Sequence, residues 1–302
     1  MVVAVLGSIN IDLVVQVPHL PAKGETVIGH QFFTAAGGKG ANQAVAVAKL
    51  GIPVHLVGQV GGDDFSQTLL NSLQATGVQT DDIVVNSTTH SGVASIFVDE
   101  TGENAIACAA GANSQVGEED VQRFTALLHH AQVAMLELGI PLPAVLKAAQ
   151  AAHTSKCQVI LDPAPAPSDL PAELYPLIDI LTPNEVEASQ LVGFPVDGPA
   201  AAQKAALVLL ERGVKIVIVT LGSQGALCCT PEETFLMPAI PVQVVDTVAA
   251  GDGFNGGLAA ALALGKSLRE AVHWGTVAGA LAVTKSGAQS SLPDADSFIA
   301  LV

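Results

Sequence analysis

The segment Asp246-Thr247-Val248-Ala249-Ala250-Gly251-Asp252-Gly253-Phe254-Asn255-Gly256-Gly257 sets an acid within a run of small residues. An apolar, strand-like run at 240–245 precedes it, and a small-residue helix pattern follows. Ala and Gly at a helix start leave backbone N–H groups bare, and the positive end of the helix dipole completes an anion site. Asp252 stands where that anion would sit. A carboxylate in this place binds phosphate poorly, but it can take the proton of a hydroxyl that attacks phosphorus. The segment therefore reads as a phosphoryl-transfer centre. Asp is also a favoured helix N-cap, and the segment alone does not separate a base from a cap.

Four other polar clusters could supply a substrate site. Gly37-Gly38-Lys39-Gly40-Ala41-Asn42 precedes a helix pattern and combines close backbone approach with a cation and an amide. Gly7-Ser8-Ile9-Asn10-Ile11-Asp12 ends the first strand, and Asn10 and Asp12 share a side of an extended chain, placed to bond polyol hydroxyls. A flexible turn and an Asx-turn are the plain alternatives. In Thr182-Pro183-Asn184-Glu185-Val186-Glu187, Asn184 and Glu187 share a helix face, either as a capping pair or as organisers of Mg²⁺ and its waters. Thr220-Leu221-Gly222-Ser223-Gln224-Gly225 follows a strand and could cradle a nucleotide, or be a hairpin turn. Gly265-Lys266-Ser267 looks like the tail of a P-loop, but Ala260 occupies the required glycine position and a helix precedes it; a C-cap and a Ser267/Glu270 capping box explain it.

Positioning these groups requires a sheet whose strands end at one cleft. Strand patterns at 2–6, 54–57, 133–136, 159–161, 178–182, 216–220 and 226–229 alternate with helix patterns at 40–50, 65–75, 118–129, 142–152, 184–191, 200–213, 253–264 and 268–284. That alternation predicts an α/β fold with a mostly parallel sheet covered on both faces, and ligands collect at the carboxyl ends of such strands. Segments 12–34 and 92–107 break the order; the second holds a hairpin turned at residues 99–103. They are expected to form a small second sheet, a lid that keeps water from the donor. The alternative is a ribbon that widens the main sheet. The chain is expected to be one domain spanning 1–302.

The 12 Lys+Arg against 28 Asp+Glu give a net charge of −16. This argues against nucleic acid or an anionic membrane as partner. It also means that backbone donors and metal ions, not cationic side chains, must balance phosphate charge. Cys108, Cys157, Cys228 and Cys229 show no paired spacing, which predicts buried reduced thiols and a cytosolic location, with Cys228 and Cys229 on opposite faces of a strand. The N-terminus reads as a strand rather than a signal peptide, and no segment is apolar enough to span a membrane.

In this order the motifs resemble the ribokinase branch of the phosphofructokinase-B sugar kinase family. Gly24-Glu25-Thr26, Gly111-Ala112-Asn113 and Asp162-Pro163-Ala164-Pro165 join the clusters above in carrying the resemblance. It implies a ribokinase-like three-layer sandwich with a β-sheet lid. The implied reaction is ATP-dependent phosphorylation of D-ribose at its 5-hydroxyl. It makes Asp252 the base and Ala249, Ala250 and Gly251 the anion hole. Asn10, Asp12, Gly38, Lys39, Gly40, Ala41 and Asn42 would hold the sugar. Asn184, Thr220, Leu221, Gly222, Ser223, Gln224, Gly225, Gly251, Asp252 and Thr276 would contact the nucleotide. It further implies Mg²⁺ steered through water by Glu187, and K⁺ held by Asp246, Val248, Ala282, Lys285, Gly287 and Ser291, mostly through carbonyls. A homodimer formed through the lids is the implied assembly.

The pattern departs from that family where Leu136-Glu137-Leu138-Gly139-Ile140-Pro141 stands for the usual Leu-Gln-Leu-Glu-Ile-Pro. Gly139 replaces a Glu that binds sugar hydroxyls in the family, and Glu137 lies on the same side one pleat earlier. Gly253 replaces a frequent Thr after the base. The departure at Gly139 keeps open a related kinase for another sugar or nucleoside. A sugar-binding regulator without turnover is the non-enzymatic alternative.

Overall fold

A computed structural model describes residues 1–302. Its strands are buried on both faces because successive residues feed two different cores. In β1 (Val3–Leu6), Val3 and Val5 enter one apolar cluster while Ala4 and Leu6 enter the other. Burying a Val or Leu side chain is worth about 1.5–3 kcal/mol, so a continuous apolar run here is a sandwiched strand. Cys228 and Cys229 divide between the two clusters in the same way, as their adjacency predicts.

The main sheet also contains β4 (Val54–Gly61), β5 (Ile83–Asn86), β8 (Val133–Glu137), β9 (Gln158–Asp162), β10 (Ile180–Leu181), β11 (Ile216–Thr220), β12 (Ala226–Cys229) and β13 (Thr234–Met237). Its order is β13-β12-β11-β10-β9-β8-β1-β4-β5, parallel except for the pairings that bring in β12 and β13. One face carries α3 (Glu118–Leu127), α4 (Leu142–Thr154), α5 (Glu185–Val192) and α6 (Pro199–Glu211). The other carries α1 (Lys39–Lys49), α2 (Asp64–Ala75), α7 (Ala250–Ala263) and α8 (Leu268–Ala282). A short α9 (Ala295–Ile299) packs Phe298 edge-on to Trp274 of α8.

The segments that break the alternation form a separate four-stranded sheet. It comprises β2 (Asn10–Gln16), β3 (Gln31–Gly37), β6 (Gly92–Val98) and β7 (Asn104–Ala109), in the order β3-β2-β6-β7. It stands apart from the main sheet rather than widening it.

Several expectations need correction. Residues 240–245 form no strand: Pro241 has no N–H to donate, and Val244 and Val245 are exposed. Helix α7 begins at Ala250, three residues earlier than its pattern, because Ala250 and Gly251 carry no apolar periodicity to mark them as helical. The β10 strand keeps only two residues of 178–182. Cys108 is exposed on β7, not buried. Strands β5 and β13 are short, with exposed residues in their patterns, and leave little periodic signal.

Candidate active site

The carboxyl ends of neighbouring strands β11, β10, β9, β8 and β1 deliver the polar clusters in spatial sequence. Thr220 ends β11, Asn184 follows β10 and bridges to Thr220, Asp162 ends β9, and Glu137 ends β8. Glu137 and Asp162 are register partners. Strand β1 runs into Ser8 and then Asn10, where the chain passes to the second sheet.

Asp252 lies in the first turn of α7 but does not cap it. The N-cap is Ala249, at φ +59° in the left-handed region, and no side chain caps the helix. The Asp252 carboxylate instead crosses to α1, accepting from Asn42 Nδ2 at 2.8 Å and from Gln43 Nε2 at 3.2 Å. Asp252 is buried, and the capping alternative is thereby removed. The backbone amides of Ala249, Gly251 and Asp252 donate to nothing within the chain, whereas Ala250 N–H bonds Thr247 O at 3.3 Å. Of the three residues expected to form the anion hole, Ala249 and Gly251 thus have free donors and Ala250 is partly engaged.

Gly38, the residue before α1, has φ +91°, and a Cβ there would lie 2.7 Å from Asn10 N and Ser8 O. Only glycine lets α1 start this close to the loop after β1. The amides of Lys39 and Gly40 have no partner in the chain, while Ala41 N–H bonds Ser8 O at 3.0 Å. Asn42 Oδ1 is buried with no hydrogen-bond partner, an acceptor waiting for a donor. Asn10 Oδ1 accepts from Asn113 Nδ2 at 2.7 Å, and Asn113 also bonds Ile9 N and Ile9 O. The sequence assigned Asn113 no role in the site; its one signal was its place in the Gly111-Ala112-Asn113 motif.

Lys39 is the cation among these acids. Burial alone would lower its pKa, but Asp162, Asp252, Glu187 and Glu137 outweigh burial and hold it raised. Asp12 is pushed up to about 7 by burial, with the charge of Asp252 adding to it. Asp162 is pushed up to about 8 by burial; Lys39 opposes the rise, and Asp252, Glu187 and Glu137 add to it. Glu137 is fully buried and also raised by burial, against Ser8 N at 2.5 Å and Gly139 N at 2.6 Å. Both its oxygens are engaged, so Glu137 presents no free carboxylate to a ligand.

On the other side of the α7 N-terminus lies a cavity of about 680 Å³. Asn184, Thr220, Gly222, Ser223, Gly225 and Thr276 line it, together with Ala250 and Gly251. Three expected contacts fall outside: Leu221 is buried in a core cluster, and neither Gln224 nor Asp252 is on the wall. Asn184 and Glu187 do form a capping box, with Asn184 Oδ1 accepting from Glu187 N and Glu187 Oε2 from Asn184 N. Glu187 Oε1 makes no hydrogen bond and remains open to a ligand. Asp246 ties two loops, accepting from Val248 N at 3.0 Å and Gly287 N at 2.9 Å. The carbonyl oxygens of Val248, Ala282, Lys285 and Gly287 accept no hydrogen bond in the chain. Ser291 Oγ donates to Ala288 O.

A buried carboxylate thus sits beside unpaired helix-terminal amides, between a polar pocket and a large cavity. Residues 2–295 match the pfkB family carbohydrate kinase profile. The chain belongs to that family. This pfkB kinase is 43% identical over 289 residues to a ribokinase of Haemophilus influenzae, covering 96% of this chain and 94% of that one. It is similar in structure to a ribokinase of Thermotoga maritima, with a TM-score of 0.90 and 39% identity, covering 99% of this chain and 98% of the other. The Arabidopsis thaliana ribokinase complexed with ribose and ATP gives a TM-score of 0.90 at 34% identity, covering 99% and 97%.

Proposed function

We propose that this pfkB kinase transfers the γ-phosphoryl group of ATP to the 5-hydroxyl of D-ribose, giving ribose 5-phosphate and ADP. The observation that carries the reading is the Asp252 carboxylate, held from α1 on both oxygens beside the free amides of Gly251 and Asp252. Asp252 takes the proton of the attacking hydroxyl; that oxygen bonds to the γ-phosphorus as the bond to the bridging β,γ-oxygen breaks. The proton stays on Asp252, and the electron pair leaves with ADP. The bare amides receive the charge on the transferring group, a contribution worth about 10²–10³ in rate for each donor. Lys39, Asn10, Asp12 and Asn42, with the amide of Gly40, orient the sugar, while the cavity beyond Gly251 takes the nucleotide.

Two ions fit the residues present. Glu187, through its free Oε1, would hold Mg²⁺ by way of water; the free carbonyls of Val248, Ala282, Lys285 and Gly287, with Asp246 and Ser291, would hold K⁺. When bound, Mg²⁺ neutralises donor phosphate charge and K⁺ orders the loop before α7. The four-stranded sheet serves as a lid over the sugar, and its exposed apolar residues Phe32 and Ile106 suit a homodimer made lid to lid. A cytosolic setting suits the unpaired thiols.

A second reading, a kinase of this family for another sugar or nucleoside, is favoured by one observation: Gly139 offers no side chain, and Glu137 does not replace it. ATP consumption over a panel of pentoses, hexoses and nucleosides, with and without K⁺, decides between them. Ribose is expected to give the highest kcat/KM, and Asp252→Asn to lower kcat by about 10²–10⁴. A better substrate than ribose would replace the specificity alone. Ribose binding without turnover on any sugar would leave the non-catalytic regulator.

A further inference from the structure

Gln43 lies next to Asn42 on α1 and meets two carboxylates at once. Its Nε2 donates to Asp162 Oδ2 at 2.8 Å and to Asp252 Oδ1 at 3.2 Å. All three side chains are buried, at 1%, 5% and 5% exposure. A primary amide carries two N–H groups, so each acid can receive one of them. The two acids differ in how firmly their backbones are held. Asp162 ends a central strand, in register with Glu137 of β8, and is fixed by the sheet. Asp252 belongs to a helix start approached by irregular chain and entered through a non-glycine left-handed residue.

The geometry points to Gln43 as a positioning residue for phosphoryl transfer, with Asp162 as its anchor. Asp162 fixes the Gln43 amide, and the amide's second N–H holds Oδ1 of the base in the rotamer that faces the sugar hydroxyl. This rests on Asp252 being the base. Neither Gln43 nor Asp162 need touch substrate. The charged groups around the pair are Lys39 on α1, Asp12 on β2, Glu137 on β8 and Glu187 on α5.

The test is a double-mutant cycle on the full-length kinase, read by steady-state kinetics and single turnover with ATP and ribose. Gln43→Met is expected to lower kcat roughly 10- to 100-fold, the range for a hydrogen bond to a charged group, with KM for ATP changed by less than about twofold. In an Asp252→Asn background, the same substitution should change kcat by less than about twofold, because both act through one group. Asp162→Leu should approach Gln43→Met, whereas Asp162→Asn, which keeps an acceptor oxygen, should stay within about threefold of the parent. An unchanged kcat in Gln43→Met, or equal losses in both backgrounds, overturns the positioning role and leaves the base in place. An Asp252→Asn enzyme as fast as the parent overturns the base and the relay together. If Gln43→Met does not fold, the Asp162 pair decides: equal activity of the Leu and Asn variants overturns the anchor.

Discussion

Asn42 Nδ2 donates to Asp252 Oδ2 at 2.8 Å, joining the first turn of α1 to the first turn of α7. The two helices come from distant parts of the chain and pack on the same face of the sheet, so this bond forms only when that layer is assembled. The other end of the amide, Asn42 Oδ1, is buried without a partner. One side chain therefore steadies the Asp252 carboxylate and keeps a free acceptor at its other end.

Asn42→Ala should damage both roles. Removing the donor to Asp252 and the acceptor for a sugar hydroxyl should raise KM for ribose by about 10-fold and lower kcat by a similar factor. KM for ATP should hardly move, because Asn42 is not on the nucleotide cavity wall. A variant that changes only the ATP KM would show that this amide does not face the sugar.

Buried acids make stability depend on pH in an unusual direction. Asp12 has its carboxyl pushed up to about 7 by burial and Asp252, from an ordinary 3.8. Between those values the folded chain holds a proton that the unfolded chain has released. The unfolded state then binds fewer protons, so stability falls as pH rises from about 4 to about 7. Asp162, pushed up to about 8, extends the fall. Asp12→Asn should flatten this decline and raise Tm at pH 8 by roughly 2–6 °C over the parent. Thermal melts from pH 5.5 to pH 8 check it; an identical fall of Tm with pH in parent and variant would rule Asp12 out as the source.

The layered fold was readable because strands buried on both faces appear as apolar runs and the helices carry Ala-rich stripes. The second sheet was readable because its strands interrupt that rhythm. What sequence could not show is contact across the layer. Asp252 at a helix start looks like a cap until Asn42 and Gln43 are seen to hold it. Gln43 is a single amide among Ala and Val, and Asp162 appeared only as part of a motif. Whether Glu137 could stand in for a missing sugar ligand was open in the sequence, and the fold answers it: the loop after β1 brings the amide of Ser8, and the bend after β8 the amide of Gly139, onto its two oxygens.

Asp246 provides a separate handle on the proposed cation site. Its carboxylate joins the amides of Val248 and Gly287, which flank carbonyls left without hydrogen bonds. Asp246→Ala should release that loop and raise the K⁺ concentration for half-maximal activity by about 10-fold or more, with saturating K⁺ restoring part of kcat. Titration of activity with K⁺ against a choline background reads this directly. An activation curve that does not shift would move the cation elsewhere.

Gly139 should resist even the smallest substitution. A Cβ there would lie 2.7 Å from Glu137 Oε2 and 2.9 Å from Ser8 Oγ, both well inside contact distance. Glu137 cannot readily swing away, since it is fully buried and holds the amides of Ser8 and Gly139. Ser8 Cβ would lie 3.1 Å away, and it is set by the backbone that leads from β1 into Asn10 of β2. Gly139→Ala should therefore destabilise the fold by about 1–3 kcal/mol, as overpacking does, and raise KM for the sugar more than KM for ATP. Gly139→Glu should be worse, because a second carboxylate would be forced against the first in a buried place. Thermal melts and paired KM measurements test this. If Gly139→Ala melts with the parent and binds sugar equally well, then Glu137 is mobile, and a larger side chain at 139 is excluded by something other than Glu137.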